Sequence, residues 1–435
     1  MIKRRLERVA VTLLSVAVLL SSTGIASSLA VNEGNTFGST TVTSSSTTSS
    51  STTVSQEGGA IQTTTVATEG GALSTENKGS GTASDPYIIS DAFDFLKIQD
   101  KVNLTTSANK FFKLTADIDL SGVSADDFTS NSVYSGSLIS VSKNLSSASK
   151  NVYINLDGNG HKIKGLNVTF TRGENFAIFG YINSNSVIKN LVVENCVINV
   201  NTDSKNCSVL VSENDGQILD CEIRNPILSM RNAAKAGLAV AMNSGTVSGV
   251  KVIGKQSNTN GATASSHTIS GNGTIGAIVG ENSGKITRVS AVNIGEYIAS
   301  NLSGKTVYGG IAGSNSGTIS NSFASGNVVG GKSSDYVGGL AGTTSSNAKY
   351  INNYVLVALK CNATGNGLVG FGANEDMFSD CFWSSSISGR TTSATNIVLD
   401  SNDIDMLRFK TVRVGETVTV SKSTLSASWG KASID

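Results

Sequence analysis

The sequence predicts an all-β chain: a parallel β-helix, a solenoid of stacked rungs, closed at its N-terminal end by a short helical cap. Three observations lead there. From about residue 152 onward, short runs of Ile, Val and Leu alternate with Asn, Gly and Ser turns. A unit of about 30 residues recurs along that stretch, the mark of a solenoid. The chain also holds 46 Gly and only 15% charged residues, against about 25% in ordinary soluble domains. That composition suits many tight turns between short strands.

The repeating unit is a small or apolar tetrad, an Asn/Gly turn and an Ile or Val strand. Seven copies align: Ala177-Ile178-Phe179-Gly180, Ser208-Val209-Leu210-Val211, Gly237-Leu238-Ala239-Val240, Ala277-Ile278-Val279-Gly280, Gly310-Ile311-Ala312-Gly313, Gly339-Leu340-Ala341-Gly342 and Gly367-Leu368-Val369-Gly370. They lie 31, 29, 40, 33, 29 and 28 residues apart. The second strand starts at Ile188, Ile218, Val247, Ile286, Ile319, Ile351 and Phe378, and two residues on stand Asn190, Asp220, Gly249, Arg288, Asn321, Asn353 and Asp380. Gly and Asn supply the positive-φ corners, and Asn in equivalent positions can form hydrogen-bonded ladders. Asn190, Asp220, Asn282, Gly284, Asn315, Gly317, Asn321 and Asn353 are therefore expected to be structural turn or ladder residues. One unit cannot fold alone. Ordering costs about 1–2 kcal/mol per residue, while each buried Val, Ile or Leu returns about 1.5–3 kcal/mol. The copies must stack.

Five segments follow. Residues 1–30 read as a signal peptide: Lys3, Arg4, Arg5 and Arg8 precede the apolar residues 9–20, and Ser28-Leu29-Ala30 fits small-x-small cleavage. No later run reaches membrane-spanning length. Residues 31–80, rich in Ser, Thr and Gly, read as a disordered linker. Residues 81–175 hold the cap and first rungs, with a short amphipathic helix over 91–102 covering the open edge of the stack. Residues 176–390 hold the repeats, and 391–435 are C-terminal strands or a tail.

Gly309-Gly310-Ile311-Ala312-Gly313-Ser314-Asn315-Ser316-Gly317-Thr318-Ile319-Ser320-Asn321-Ser322-Phe323-Ala324-Ser325-Gly326 closely resembles the GLUG motif of bacterial surface proteins, Gly-Gly-Leu-Val-Gly-x-Asn-x-Gly-x-Ile-x-Asn-Ser-Tyr-Ala-x-Gly. Residues 81–89 and 112–120 look like the lead-in of that family. Leu156-Asp157-Gly158-Asn159-Gly160-His161-Lys162-Ile163-Lys164-Gly165-Leu166 looks like the rung before its repeats, and Ser379-Asp380-Cys381-Phe382-Trp383 like its ending. The resemblance covers about residues 81–389. It implies a right-handed parallel β-helix of the kind found in adhesins, in biofilm-type surface proteins and beside immunoglobulin-cleaving metalloprotease domains. It implies no activity.

Chemistry-bearing residues are sparse. Lys plus Arg number 33 and Asp plus Glu 32, so nucleic acid and anionic membranes are poor partners. The two histidines, His161 and His267, stand in a corner and a polar loop, and no His-Glu-x-x-His or Gly-x-Ser-x-Gly element occurs in context. Five cysteines lack CxxC spacing; they read as small core residues, with a Cys196–Cys207 bridge left open. Asp117 and Asp119 share a strand, and 400–405 is the densest acidic stretch without the pattern of a calcium loop. No catalytic, cofactor or metal site is expected. Three readings remain: an adhesion or interaction module, secreted or on the cell surface, binding a glycan or a surface protein; a polysaccharide lyase or glycoside hydrolase on the same scaffold; and a passive spacer. The 40-residue interval places an insertion in 254–273, read as a polar loop. Lys255, Asn258, Asn260 and His267 are its candidate interaction residues.

Overall fold

The structure is a computed structural model. It describes residues 79–102, 108–128, 136–141, 152–255, 268–298, 305–332, 335–361 and 364–383, together with short strands within residues 17–66. Residues 1–77 and 78–435 form separate units. In the first, Ser51–Glu57 pairs antiparallel with Ala60–Val66, and Ala17–Leu20 with Ala26–Leu29. These strands fall within the stretches read from sequence as linker and export signal. Thr and Val favour extended backbone, and Gly58-Gly59 is a hairpin-turn signal that a compositional argument passes over. Val31–Asn32 pairs with Asn35–Thr36, and Thr41–Val42 with Ala26–Leu29; the remainder of residues 1–78 lies outside the described residues, as does 384–435 with its acidic stretch.

The second unit is a parallel β-solenoid. One rung runs Val187–Lys189, Val192–Glu194, Val197–Ser208 and Val211–Asn214 before Gln217–Leu219 begins the next. Each strand pairs in parallel with its equivalent one rung away. The stack therefore satisfies its backbone between rungs, and side chains alternate inward and outward with period two. Phe112, Leu156, Ile188, Ile218, Val247, Ile286, Ile319 and Tyr350 form one interior column. Ile118, Ile163, Val193, Ile223, Val252, Ala291, Ala324, Val355 and Trp383 form another. All are at most 1% exposed.

Three registers differ by one residue from the sequence alignment. The second and third tetrads begin at Val209 and Leu238, because Phe179, Val211, Val240 and Val279 are the residues in register. Their unbroken apolar runs gave the pattern no phase. In the sixth rung Tyr350, not Ile351, pairs with Ile319. The preceding turn is longer than its neighbours, and its Ala348 N–H donates to Ser345 O at 3.1 Å. A one-residue slip exchanges the faces: Tyr350 is fully buried and Ile351 is 36% exposed. It also moves Asn353 from the corner to the interior. There its amide donates to Ile319 O at 2.9 Å and its Oδ1 accepts from Ser322 N–H at 3.1 Å.

The true corner column is Asn190, Asp220, Gly249, Arg288, Asn321, Asn352 and Asp380, each with φ between 49° and 67°. Asn, Asp and Gly tolerate that region, whereas a long side chain there costs about 1 kcal/mol. Arg288 is held in it by its guanidinium, which donates to Ser248 Oγ at 2.8 Å. Arg288→Asn is therefore expected to raise stability by about 0.5–1 kcal/mol, read as a higher urea midpoint; a lower midpoint would show that the guanidinium contact outweighs the backbone strain.

The helix Ala92–Val102 closes the N-terminal end. Asp91 Oδ1 accepts the Asp94 N–H at 2.8 Å, a helix-start cap. Phe95, Ile98 and Val102 are buried, and the Phe95 ring meets Phe179 edge-on at 6.1 Å. Gln99 fixes the helix laterally: its amide donates to Ser140 O and accepts the Ser140 N–H.

Candidate interaction surface

Along one side of the solenoid two legs of the glycine-bearing rungs lie back to back. Gly309 and Gly313 show how. A Cβ on Gly309 would sit 1.9 Å from Ala312 O, and one on Gly313 would sit 2.6 Å from Ile275 N. Backbone packs directly on backbone there, which is the physical reason for the glycines of the repeat. Outward of this pinch the legs diverge into a seam. One side of it carries Asn206, Lys235, Thr274, Val307 and Tyr336, near or in register. The other carries Tyr181, Glu213, Met242, Glu281, Ser314, Thr343 and Phe371. Contacts zip it: Lys235 Nζ lies 2.9 Å from Glu281 Oε1, and the Tyr336 and Phe371 rings stack at 4.6 Å.

At the turn beyond the seam stands an asparagine ladder. Asn214 donates to Asn243 at 2.6 Å, Asn243 to Asn282 at 2.7 Å, and Asn282 to Asn315 at 2.7 Å. All four are at most 1% exposed. Ile182, in register with Asn214, offers no amide and ends the ladder on one side. Thr344 ends it on the other, its hydroxyl donating to Asn315 O at 3.0 Å. Asn282 and Asn315 are thus committed to the fold, and Gly284 and Gly317 make the turns that follow them. Asn190, Asp220 and Asn321 occupy the other corner, where the Asn190 amide donates to Asp157 Oδ1 at 3.0 Å.

The carboxylates are engaged as well. The backbone N–H of Lys162 donates to Asp117 Oδ1 at 3.0 Å and holds that carboxyl below its ordinary range, with His161 Nδ1 at 3.5 Å. Asp119 is lowered by the Ser121 backbone N–H. Glu194 bridges Lys162 and Arg224 across three rungs, and Arg224 also pairs with Glu222 at 2.7 Å. Asp215 accepts the Tyr181 hydroxyl at 2.7 Å; burial, first, and this bond push the Tyr181 phenol well up.

Of the insertion, Lys255 is exposed, while Asn258, Asn260 and His267 lie outside the described residues. The loop is shorter than the sequence implied. Ile269–Gly276 is a strand, Thr268, Ser270 and Asn272 are buried, and Ile269 is in register with Leu228. Its two isoleucines, Ile269 and Ile275, stand six residues apart with Ser, Gly, Asn and Thr between them, which disguised its first half as loop.

Cys196 and Cys207 are free, as are Cys221 and Cys381. Nearly the whole strand Val197–Ser208 separates the first two, so they form no bridge. Burial pushes the thiols of Cys196, Cys207 and Cys221 up to about 12 and that of Cys381 up to about 11. All four are expected to resist alkylation at pH ~8 in the folded protein and to react in denaturant. Unfolded thiols ionise near pH ~8.5. Their contribution to stability is therefore intact below that value and lost as pH rises toward the folded values. A thiol assay with and without denaturant reads this directly; rapid labelling of all four native thiols would contradict their burial.

No protein-family model matches the chain. A 125-residue segment, 29% of the chain, is 27% identical to halomucin of Haloquadratum walsbyi, of which it spans 1%. Among solved structures, a candidate immunoglobulin A1 protease from Bacteroides ovatus aligns over 82% of this chain and 86% of its own, at 19% identity and a TM-score of 0.42. A second structure, named IgA1 protease, aligns over 87% of this chain and 25% of its own, at 14% identity and a TM-score of 0.37. The likeness to the GLUG motif thus rests on the residues that carry it, above all Gly309 to Gly326.

Proposed function

We propose that this protein is an exported, non-catalytic interaction module that presents the outer faces of its solenoid to a partner on or outside the cell surface. The observation that carries this reading is how the polar residues are used. Asp117, Asp119, Asp157, Glu194, Glu222, Asp215 and Glu281 each hold a backbone N–H, a hydroxyl, an amide or a cation of the scaffold. Hydrolysis of a glycan needs two carboxyls poised on a bond, not consumed in contacts of the scaffold. Among the described residues no group of three or more His, Cys, Asp or Glu is placed to hold a metal ion, and no helix there is long and apolar enough to cross a membrane. The nearly balanced charge leaves hydrogen bonding and stacking as the means of recognition.

The test incubates the full chain with a panel of polysaccharides, assayed for new reducing ends and unsaturated products, and with arrays of glycans and matrix proteins. Saturable binding without turnover is the expected result. Reproducible products would favour the carbohydrate-active enzyme, and neither binding nor turnover would favour the passive spacer.

A further inference from the structure

We infer that the C-terminal end of the seam is a saccharide-binding site, with the Phe371 ring as its platform; the inference rests on the interaction-module reading and names its ligand class. Phe371 is 56% exposed, and Ile351 at 36% is the other exposed large hydrophobic residue among those described. An exposed aromatic ring costs hydration free energy, and this one is also held in a fixed orientation. It stacks on Tyr336 at 4.6 Å with only 6° between the ring planes. The Lys305 ammonium sits 3.6 Å over the Tyr336 ring. Cation, phenol and phenyl form a three-layer stack, so Phe371 has little rotamer freedom to lose when a ligand covers it.

The surroundings select the ligand class. Phe371 is in register with Thr343, Thr343 with Ser314, and Ser314 with Glu281. Moving away from the ring along the solenoid axis, the seam offers two hydroxyls, one per rung, at about the 4.7–4.9 Å spacing of β-strands, before Glu281, which is paired with Lys235. A flat apolar platform followed by regularly spaced hydroxyl groups complements a pyranose chain, which presents C–H faces for stacking and equatorial hydroxyls for hydrogen bonding. A protein partner is a poor fit: a stable interface buries about 800 Å² per side around several anchors, and among the described residues of the seam Phe371 is the one exposed large hydrophobic. A polyanion is a poor fit too: Lys305 is engaged over the Tyr336 ring, Lys235 is paired with Glu281, and the chain carries a formal net charge of only +1.

The test titrates the full chain with cellohexaose, chitohexaose and mannohexaose by calorimetry, alongside Phe371→Ala, Phe371→Trp and Thr343→Val. At least one hexasaccharide is expected to bind saturably. Phe371→Ala should weaken it by about tenfold or more, Phe371→Trp should retain it, and Thr343→Val should weaken it by a few-fold, all with unchanged melting temperatures. If the wild-type chain binds array partners but no hexasaccharide, or Phe371→Ala binds as tightly as wild type, the assignment is overturned while the interaction module stands. If the wild-type chain binds nothing at all, the module reading fails with it. If Phe371→Ala lowers the melting temperature, the Trp variant decides: loss of saccharide binding in a stable Phe371→Trp protein overturns the platform.

Discussion

Ile311→Asp is expected to unfold the solenoid or bring it close to unfolding. Ile311 is fully buried in the repeat with the clearest motif, and its backbone joins two rungs: its N–H donates to Leu340 O at 2.9 Å, and its own carbonyl accepts from Ile278 and Val279. A carboxylate there has no cation or donor to meet it. The cost is the lost transfer energy of the isoleucine plus the penalty for an unpaired buried charge, together about 4 kcal/mol or more. Against the 5–15 kcal/mol that holds a typical domain, most of the stability would go. Urea unfolding followed by far-ultraviolet circular dichroism measures it. The same change at Ser314, a half-buried strand residue of the seam, should cost about 1 kcal/mol or less, most of it repulsion from Glu281 in the neighbouring rung. Equal losses at the two sites would mean that the inward and outward faces have been exchanged.

Gly309→Val is the second large effect. The obstacle is steric. The new Cβ would lie 1.9 Å from Ala312 O and 2.6 Å from Ala341 Cα, and neither backbone atom can rotate away as a side chain would. Opening the pinch at one rung also displaces the legs above and below, because each is hydrogen-bonded to its neighbours. A loss of more than about 4 kcal/mol is expected, seen as lost expression of folded protein or rapid proteolysis. Gly122→Ala is the control, since a Cβ there meets nothing within 4 Å. A stable, protease-resistant Gly309→Val protein would show that the two legs are not in backbone contact.

The difference between these glycines marks what the sequence could and could not disclose. The rung period, the strand columns and the cap helix follow from hydrophobic periodicity, which burial enforces at every copy. The corner at Asn190, Asp220 and Asn321 is legible because positive φ restricts residue choice. The register slips at Val209, Leu238 and Tyr350 were not legible, since consecutive apolar residues satisfy either face. The fate of the ladder asparagines was half legible: Asn282 and Asn315 announce a turn, but their burial depends on Asn243 and Asn214 standing one rung apart in space. The seam was invisible. Lys235 meets Glu281 across 46 positions of chain, and Tyr336 meets Phe371 across 35, contacts that no local pattern encodes. Once the rungs are known to be in register, the recurrence of Glu213, Glu281, Ser314, Thr343 and Phe371 at equivalent positions is the signal that could have found it.

The claim on which the rest stands is parallel stacking in this register, and a disulfide tests it most directly. Thr287 and Ser320 are paired residues on adjacent rungs, with their hydroxyls 2.9 Å apart. Two cysteines at these positions place their Cα atoms at the 4.7–4.9 Å strand spacing, within the range that a disulfide spans. Thr287→Cys with Ser320→Cys is expected to oxidise readily and to yield one linked peptide on proteolysis and mass spectrometry. Thr287→Cys with Thr318→Cys, two residues out of register on the same face, is expected to stay reduced. Linkage of the second pair in preference to the first would contradict the register and, with it, the seam, the ladder and the site built on them.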